Sequence, residues 1–152
     1  MITKTKLKAT GFFPPYSKDG SYNLKTKNGK GCYIIRKNGK TVYVGMSLSD
    51  IQGTLYRHFQ KWTDRRTAWT KKQQNYERVT YYGQDRSLFT VKIIFCPTNH
   101  ECYLLESLLI KKLRPADNTL KNELYHNAEL DRFEPKLENV QTWKPISDEP
   151  PF

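Results

Sequence analysis

Three cysteines, Cys32, Cys96 and Cys102, are all the sulfur chemistry this 152-residue chain could use for cross-linking. Their odd number and the lack of a Cys-x-x-Cys pair argue against a disulfide framework or a zinc knuckle, and fit a reducing compartment. Cys96, His100 and Cys102 lack a fourth ligand nearby, so packed thiols are expected rather than a metal site. Long apolar runs are missing as well. None approaches the ~20 residues of a membrane span, and the first residues hold no apolar core of signal-peptide length. The expected setting is therefore the cytoplasm, with no membrane partner. Acidic residues are scarce, 15 Asp and Glu against 26 Lys and Arg, for a net charge of +11. Such a surplus suits a polyanion, and without a basic amphipathic helix nucleic acid is the expected partner. Internal repeats are absent too, and the length suits one domain.

Residues 1–30 read as a basic N-terminal arm, with seven lysines against Asp19 alone and Phe12, Phe13, Tyr16 and Tyr22 interleaved. Lysines on phosphates and rings on bases would make it a nucleic-acid arm; Phe12 and Phe13 would equally pin a looped leader. Next comes a hairpin from Gly31 to Gly45, in which β-branched residues alternate on both sides of Asn38-Gly39. A helix is then predicted to about Trp62, capped by Ser49 with Gln52, with Ile51, Leu55, Phe59 and Trp62 inward and Arg57 and Lys61 together on a basic edge. Residues 63–88 have poor periodicity and are expected to form an insertion, with some helix near 66–76. Phe89–Phe95 is a clear strand. Thr98 with Glu101 caps a second helix that should run through Lys112 or Leu113 before Pro115. Residues 121–152 turn acidic and Pro-containing, and are expected to form a mostly extended tail on the domain, with Phe133, Leu137 and Trp143 as anchors.

Glu106 lies inside Leu-Leu-Glu-Ser-Leu-Leu-Ile, and its helical neighbours are Cys102, Leu109, Ile110 and Leu113. A carboxylate in an apolar stripe is costly unless compensated. A basic partner at the stripe edge is one answer, and a divalent cation is the other.

Gly31-x-Tyr33 followed by Tyr43-x-Gly45, a helix bearing Arg57, a third strand, a helix bearing Glu106 and then Asn118 together resemble the GIY-YIG nuclease domain over about residues 31–118. The resemblance implies an α+β fold with a small three-stranded antiparallel sheet flanked by helices, over residues 31–120. It also favours a three-residue loop, Lys37-Asn38-Gly39, which pairs Tyr33 with Tyr43; a two-residue loop would send the tyrosines to opposite faces. The implied function is a Mg²⁺- or Mn²⁺-dependent DNA endonuclease, and the alternative is a non-catalytic nucleic-acid-binding module. Glu106 would hold the metal and Arg57 would fork a phosphate. By similarity Tyr43 would help deprotonate water, with Tyr33 positioning it. A free phenol near pKa ~10 is a poor base at neutral pH, so His58 or Lys61 stays open for that role or for phosphate. Asn118 would tie the helix end to the hairpin or touch phosphate. Paired cuts would favour a homodimer or two successive binding events.

Overall fold

A computed structural model describes residues 3–26, 28–61, 79–118 and 130–140. The strands are β1 (Thr3–Ala9), β2 (Gly31–Lys37), β3 (Lys40–Ser47), β4 (Phe89–Phe95) and β5 (Phe133–Asn139), and the helices are α1 (Ile51–Tyr56) and α2 (Asn99–Leu113). They form one five-stranded sheet in the order β3-β2-β4-β1-β5. Neighbours are antiparallel except β1 and β5, which run parallel. The α+β class stands, but the expected three-stranded antiparallel sheet is corrected to a mixed sheet of five. Both added strands come from stretches dominated by charge. In β1, lysines alternate with Leu7 and Ala9, which are buried. In β5, Phe133 and Leu137 pack inward while Glu134, Lys136 and Glu138 stay exposed. Pro135 lacks a ladder donor, and an edge strand tolerates that loss.

The inner strands β2 and β4 are covered on both faces. Cys32, Ile34 and Ile94 meet Leu105, Leu108 and Leu109 of α2, while Tyr33, Ile35, Val91 and Ile93 meet Ile51, Leu55 and Tyr56 of α1. Phe12 and Phe13 divide between the two cores and are fully buried. Burial of that kind stabilises each by about 1.5–3 kcal/mol. Tyr22 stacks on Tyr56 with ring centres 3.8 Å apart, and Arg86 lies 3.8 Å over the Tyr16 ring. The aromatic residues interleaved with the N-terminal lysines thus pack on the protein itself.

The hairpin turns through two residues, with Asn38 at φ 52° and Gly39 at φ 76°, and Lys37 pairs with Lys40. This corrects the expected three-residue loop. Both turn residues have the positive φ of a type I′ turn, whose twist matches that of the strands. The register shifts further along, where Arg36 pairs with Thr41 and Ile35 with Tyr43, leaving Val42 as a bulge. Tyr33 therefore faces Gly45 rather than Tyr43. The extra residue puts both tyrosines on one face after all.

α1 is shorter than its sequence pattern suggested, and Asp50 caps it by accepting from the Gly53 amide at 3.0 Å in place of Ser49. After Tyr56 the chain tightens into a 3₁₀ turn, Arg57–Phe59. The His58 carbonyl, which a continuing helix would need for the amide four residues on, accepts from Tyr81 N at 2.6 Å. Trp62 and the helix expected near 66–76 lie outside the described residues. α2 begins after Thr98, whose hydroxyl accepts from the Glu101 amide at 3.2 Å, and it ends at Leu113 with left-handed Arg114 before Pro115. Its bounds match the expectation.

Candidate active site

The motif glycines are steric requirements. A Cβ at Gly31 would overlap the Ile94 carbonyl, because β2 and β4 approach closely there. A Cβ at Gly45 would overlap the hydroxyl and ring of Tyr33, which crosses over that position. Gly45 thus makes the space in which Tyr33 lies.

Tyr33 is buried, and its ring lies 6.1 Å from that of Tyr43. His58, also buried, sits 4.6 Å from Tyr43 and 5.5 Å from Tyr33 between ring centres. Its Nδ1 is 2.7 Å from the Val79 carbonyl and its Nε2 is 2.7 Å from the Tyr33 hydroxyl. A carbonyl only accepts, so Nδ1 carries the proton of a neutral ring, and Nε2 accepts from the Tyr33 hydroxyl. Burial lowers the His58 pKa against the opposing pull of the Val79 hydrogen bond. The ring is therefore neutral and able to accept at pH 7.

Burial pushes the Tyr33 phenol well above the ordinary tyrosine range, and the negative charges that Tyr43 and Glu106 can carry push it the same way. Tyr33 is thus a protonated donor rather than a standing phenolate. Glu106, only 6 % exposed on α2, is close enough for its charge to act on Tyr33. It offers a hard carboxylate oxygen, a donor suited to Mg²⁺ or Mn²⁺ when water and substrate complete the shell. Among the described residues no three His, Cys, Asp or Glu side chains gather as a metal cage. The donor set fits a cation that keeps most of its shell for water and phosphate.

Asn118 is bound to the hairpin on both sides of its amide. Its Oδ1 accepts from Val44 N at 2.9 Å and its Nδ2 donates to Val44 O at 2.8 Å. This clasp fixes the strand between Tyr43 and Gly45. The neighbouring Asp117 amide donates to the carbonyl of the bulge residue, Val42, at 2.8 Å. Structure thus gathers Tyr33, Tyr43, His58 and Glu106, with Asn118 holding the strand behind them. Arg57 and Lys61 are exposed.

Two residues that hold the site lay beyond sequence reasoning. Tyr81, buried, donates its amide to the His58 carbonyl and its hydroxyl to Asp117 at 2.9 Å. Val79 supplies the carbonyl that sets the His58 tautomer. Both follow a stretch without periodicity, and nothing local marks them. For Asp117 the one signal is its place beside Asn118, just beyond the end of α2.

The family model of the GIY-YIG catalytic domain matches residues 29–121. No curated protein sequence matches the chain. Among solved structures the chain is similar to the GIY-YIG N-terminal endonuclease domain of UvrC from Thermotoga maritima, represented by two tyrosine-to-phenylalanine point mutants bound to the catalytic divalent cation. Their identities are 22% and 20%, each covers 64% of this chain and 90% of the other, and both TM-scores are 0.41.

Proposed function

The chain belongs to the GIY-YIG family, with its catalytic domain over residues 29–121, and we propose that it is a divalent-metal-dependent endonuclease hydrolysing DNA phosphodiester bonds. The observation that carries this reading is the hydrogen bond from Tyr33 to a neutral, buried His58, beside the Tyr43 ring and within reach of the charge of Glu106. Phosphodiester hydrolysis requires a base for the attacking water and positive charge on the phosphate. Tyr33 hands its proton to Nε2 of His58 as its oxygen takes one from the water, so His58 is the final acceptor. The high pKa of Tyr33 suits a relay, since the phenol need never persist as an anion. Tyr43 lines the same side and orients the water. Arg57 and Lys61, exposed on the segment that carries His58, reach for the scissile phosphate and its neighbours. Glu106 would hold Mg²⁺ or Mn²⁺, which when bound supplies positive charge to the phosphate oxygens. The surplus of 26 basic over 15 acidic residues attracts the DNA.

The test is supercoiled plasmid, with flapped and branched DNA beside it, incubated with Mg²⁺, with EDTA, and with Glu106→Ala. Cleavage that needs the metal and vanishes in the variant, while DNA binding persists, is expected. Cleavage retained by Glu106→Ala would overturn the metal assignment. Tight binding of every substrate without any cut would turn the reading to the non-catalytic binding module.

A further inference from the structure

The segment ahead of the matched domain takes no part in that chemistry, yet it is fastened to the turn that carries His58. Residues 13–25 follow β1, with Phe13 and Leu24 buried in the core on the α1 side, and fold back through a bridge between Tyr16 and Tyr22. The tip is a closed turn. Ser17 N donates to the Ser21 carbonyl at 2.8 Å, Gly20 N donates to the Ser17 carbonyl at 2.9 Å, and Gly20 takes φ 86°. Asn23 closes the base, its amide donating to the Pro15 carbonyl at 3.0 Å and its side chain to the Pro14 carbonyl at 2.8 Å. The Tyr56 hydroxyl donates to the Pro15 carbonyl at 2.6 Å and accepts from Leu24 N at 2.9 Å. The Tyr16 ring meets Phe59 edge-on at 6.0 Å, and Gln60 Nε2 donates to the Tyr22 hydroxyl. His58 lies among these anchors in the chain, so loop and proton acceptor share one support.

The side chains divide by type. Phe13, Pro15 and Leu24 are buried, and the half-buried Tyr16 and Tyr22 pack on Tyr56 and Arg86. Lys18 and Lys25 of the loop are exposed, as are Arg57 and Lys61 on the segment it rests on and Arg86 over Tyr16. The acids next to them are engaged locally. Asp19 Oδ1 accepts from the Ser21 amide at 2.9 Å and hydroxyl at 2.7 Å, and Asp85 Oδ1 accepts from the Ser87 amide at 3.0 Å and hydroxyl at 2.7 Å.

We propose that residues 13–25 form a phosphate-binding loop that holds the backbone of duplex DNA beside the cut, with Lys18 and Lys25 on phosphates next to those that Arg57 and Lys61 engage. This rests on DNA as the substrate and adds an element that lies outside the matched residues 29–121. A turn already closed by its own hydrogen bonds presents its lysines at little cost in ordering. The partner is duplex rather than single strand, because bare bases bind by stacking on free aromatic faces. Here Tyr16 lies under Arg86 and Tyr22 lies on Tyr56. Contacts to phosphate position a duplex without reading its sequence, so the loop fixes where the DNA lies and leaves base choice to other residues.

The experiment measures binding of a fluorescein-labelled 20-base-pair duplex, and of the matching single strand, to the intact protein in EDTA across a salt series. Lys18→Ala combined with Lys25→Ala should weaken duplex binding by at least about tenfold at low salt and make the salt slope shallower by about 1 for each lysine. With Mg²⁺ the same variant should need correspondingly more DNA for half-maximal cleavage. Lys6→Ala combined with Lys8→Ala removes the same two charges from the open face of β1 and should shift the slope much less. An unchanged slope in the loop variant, an equal loss in the β1 variant, a loss confined to the single strand, or a parent protein that holds no duplex would overturn the loop assignment. A parent that binds duplex through these lysines but cuts nothing with Mg²⁺ would bring down the nuclease reading and leave the loop established.

Discussion

Two strand pairs stand at opposite ends of one sheet. β3 joins β2 through a two-residue turn, whereas β5 joins β1 in parallel across more than a hundred residues of chain. Both are held by backbone ladders, the hairpin with apolar packing on each face and the outer pair with it on one, and they differ in how many independent contacts fix the register. In the hairpin, Gly45 makes room for Tyr33, Asn118 clasps Val44 from both sides, and Asp117 takes the carbonyl of the bulge. In the outer pair, Leu7 lies beside Leu137 on the buried face, while Lys6 lies beside Lys136 and Lys8 beside Glu138 on the open one. A register slip there would cost burial alone. In the hairpin it would also separate Tyr33 from His58, so the site is over-determined where the chemistry needs it.

The comparison breaks most readily at Gly45. Gly45→Ala puts a methyl group into the Tyr33 ring, and the ring or the strand must move. Cleavage is expected to fall by more than any change in β1 or β5 can achieve, at a stability cost of about 1–3 kcal/mol. Circular dichroism melts beside plasmid cleavage check both, and a Gly45→Ala protein as active as the parent would show that the Tyr33 position does not matter.

His58→Ala leaves the hairpin standing but removes the acceptor of the Tyr33 proton, so a loss of roughly 10²–10⁴-fold in cleavage is expected. The pH profile sharpens the point. Burial sets the folded pKa of His58 below its ordinary 6.5, so the imidazole remains an acceptor to lower pH than a free histidine would. The acid limb of the rate should lie below 6.5 and disappear in the variant. Stability follows the same sign: below 6.5 the unfolded chain takes up the proton more readily. The stabilisation from neutral His58 is therefore complete above 6.5 and is lost as pH falls toward the folded value. An acid limb unchanged in His58→Ala would assign it to another group.

What could be read in advance follows the same division. The motif glycines, the two tyrosines, strand β4 and both ends of α2 were legible because each depends on neighbours a few residues away. The bulge at Val42 was not: an apolar residue fits either register, and the contact that favours the bulge comes from Asp117, far along the chain. α1 stops early for a similar reason, since Tyr81 takes the carbonyl that helical propensity would have kept. Alternation in Lys6-Leu7-Lys8-Ala9 was present but looked like a charge run. Its meaning appears only when β5 supplies a matching apolar face. In the site, Glu106 stood out as a carboxylate in an apolar stripe, whereas no local pattern could show that Val79 would orient His58.

The smallest effect should come from the open face of the outer pair. Lys8→Glu places like charges side by side with Glu138 in the parallel ladder, both exposed. Neighbouring strand pairs of this kind contribute little, and salt screens them further. For a domain of this size the melting midpoint should drop by only about 1–3 °C, less at high salt. Because β1 and β5 lie beyond β4 from the hairpin, the separation of Tyr33 from His58 is untouched. Relative cleavage at saturating DNA should therefore match the parent, with any change appearing as weaker binding at low salt, where the loss of one positive charge and gain of a negative one is felt most. A fall in saturated cleavage would mean that the outer strands help set the geometry of the site, and the two ends of the sheet would have to be treated as one mechanical unit.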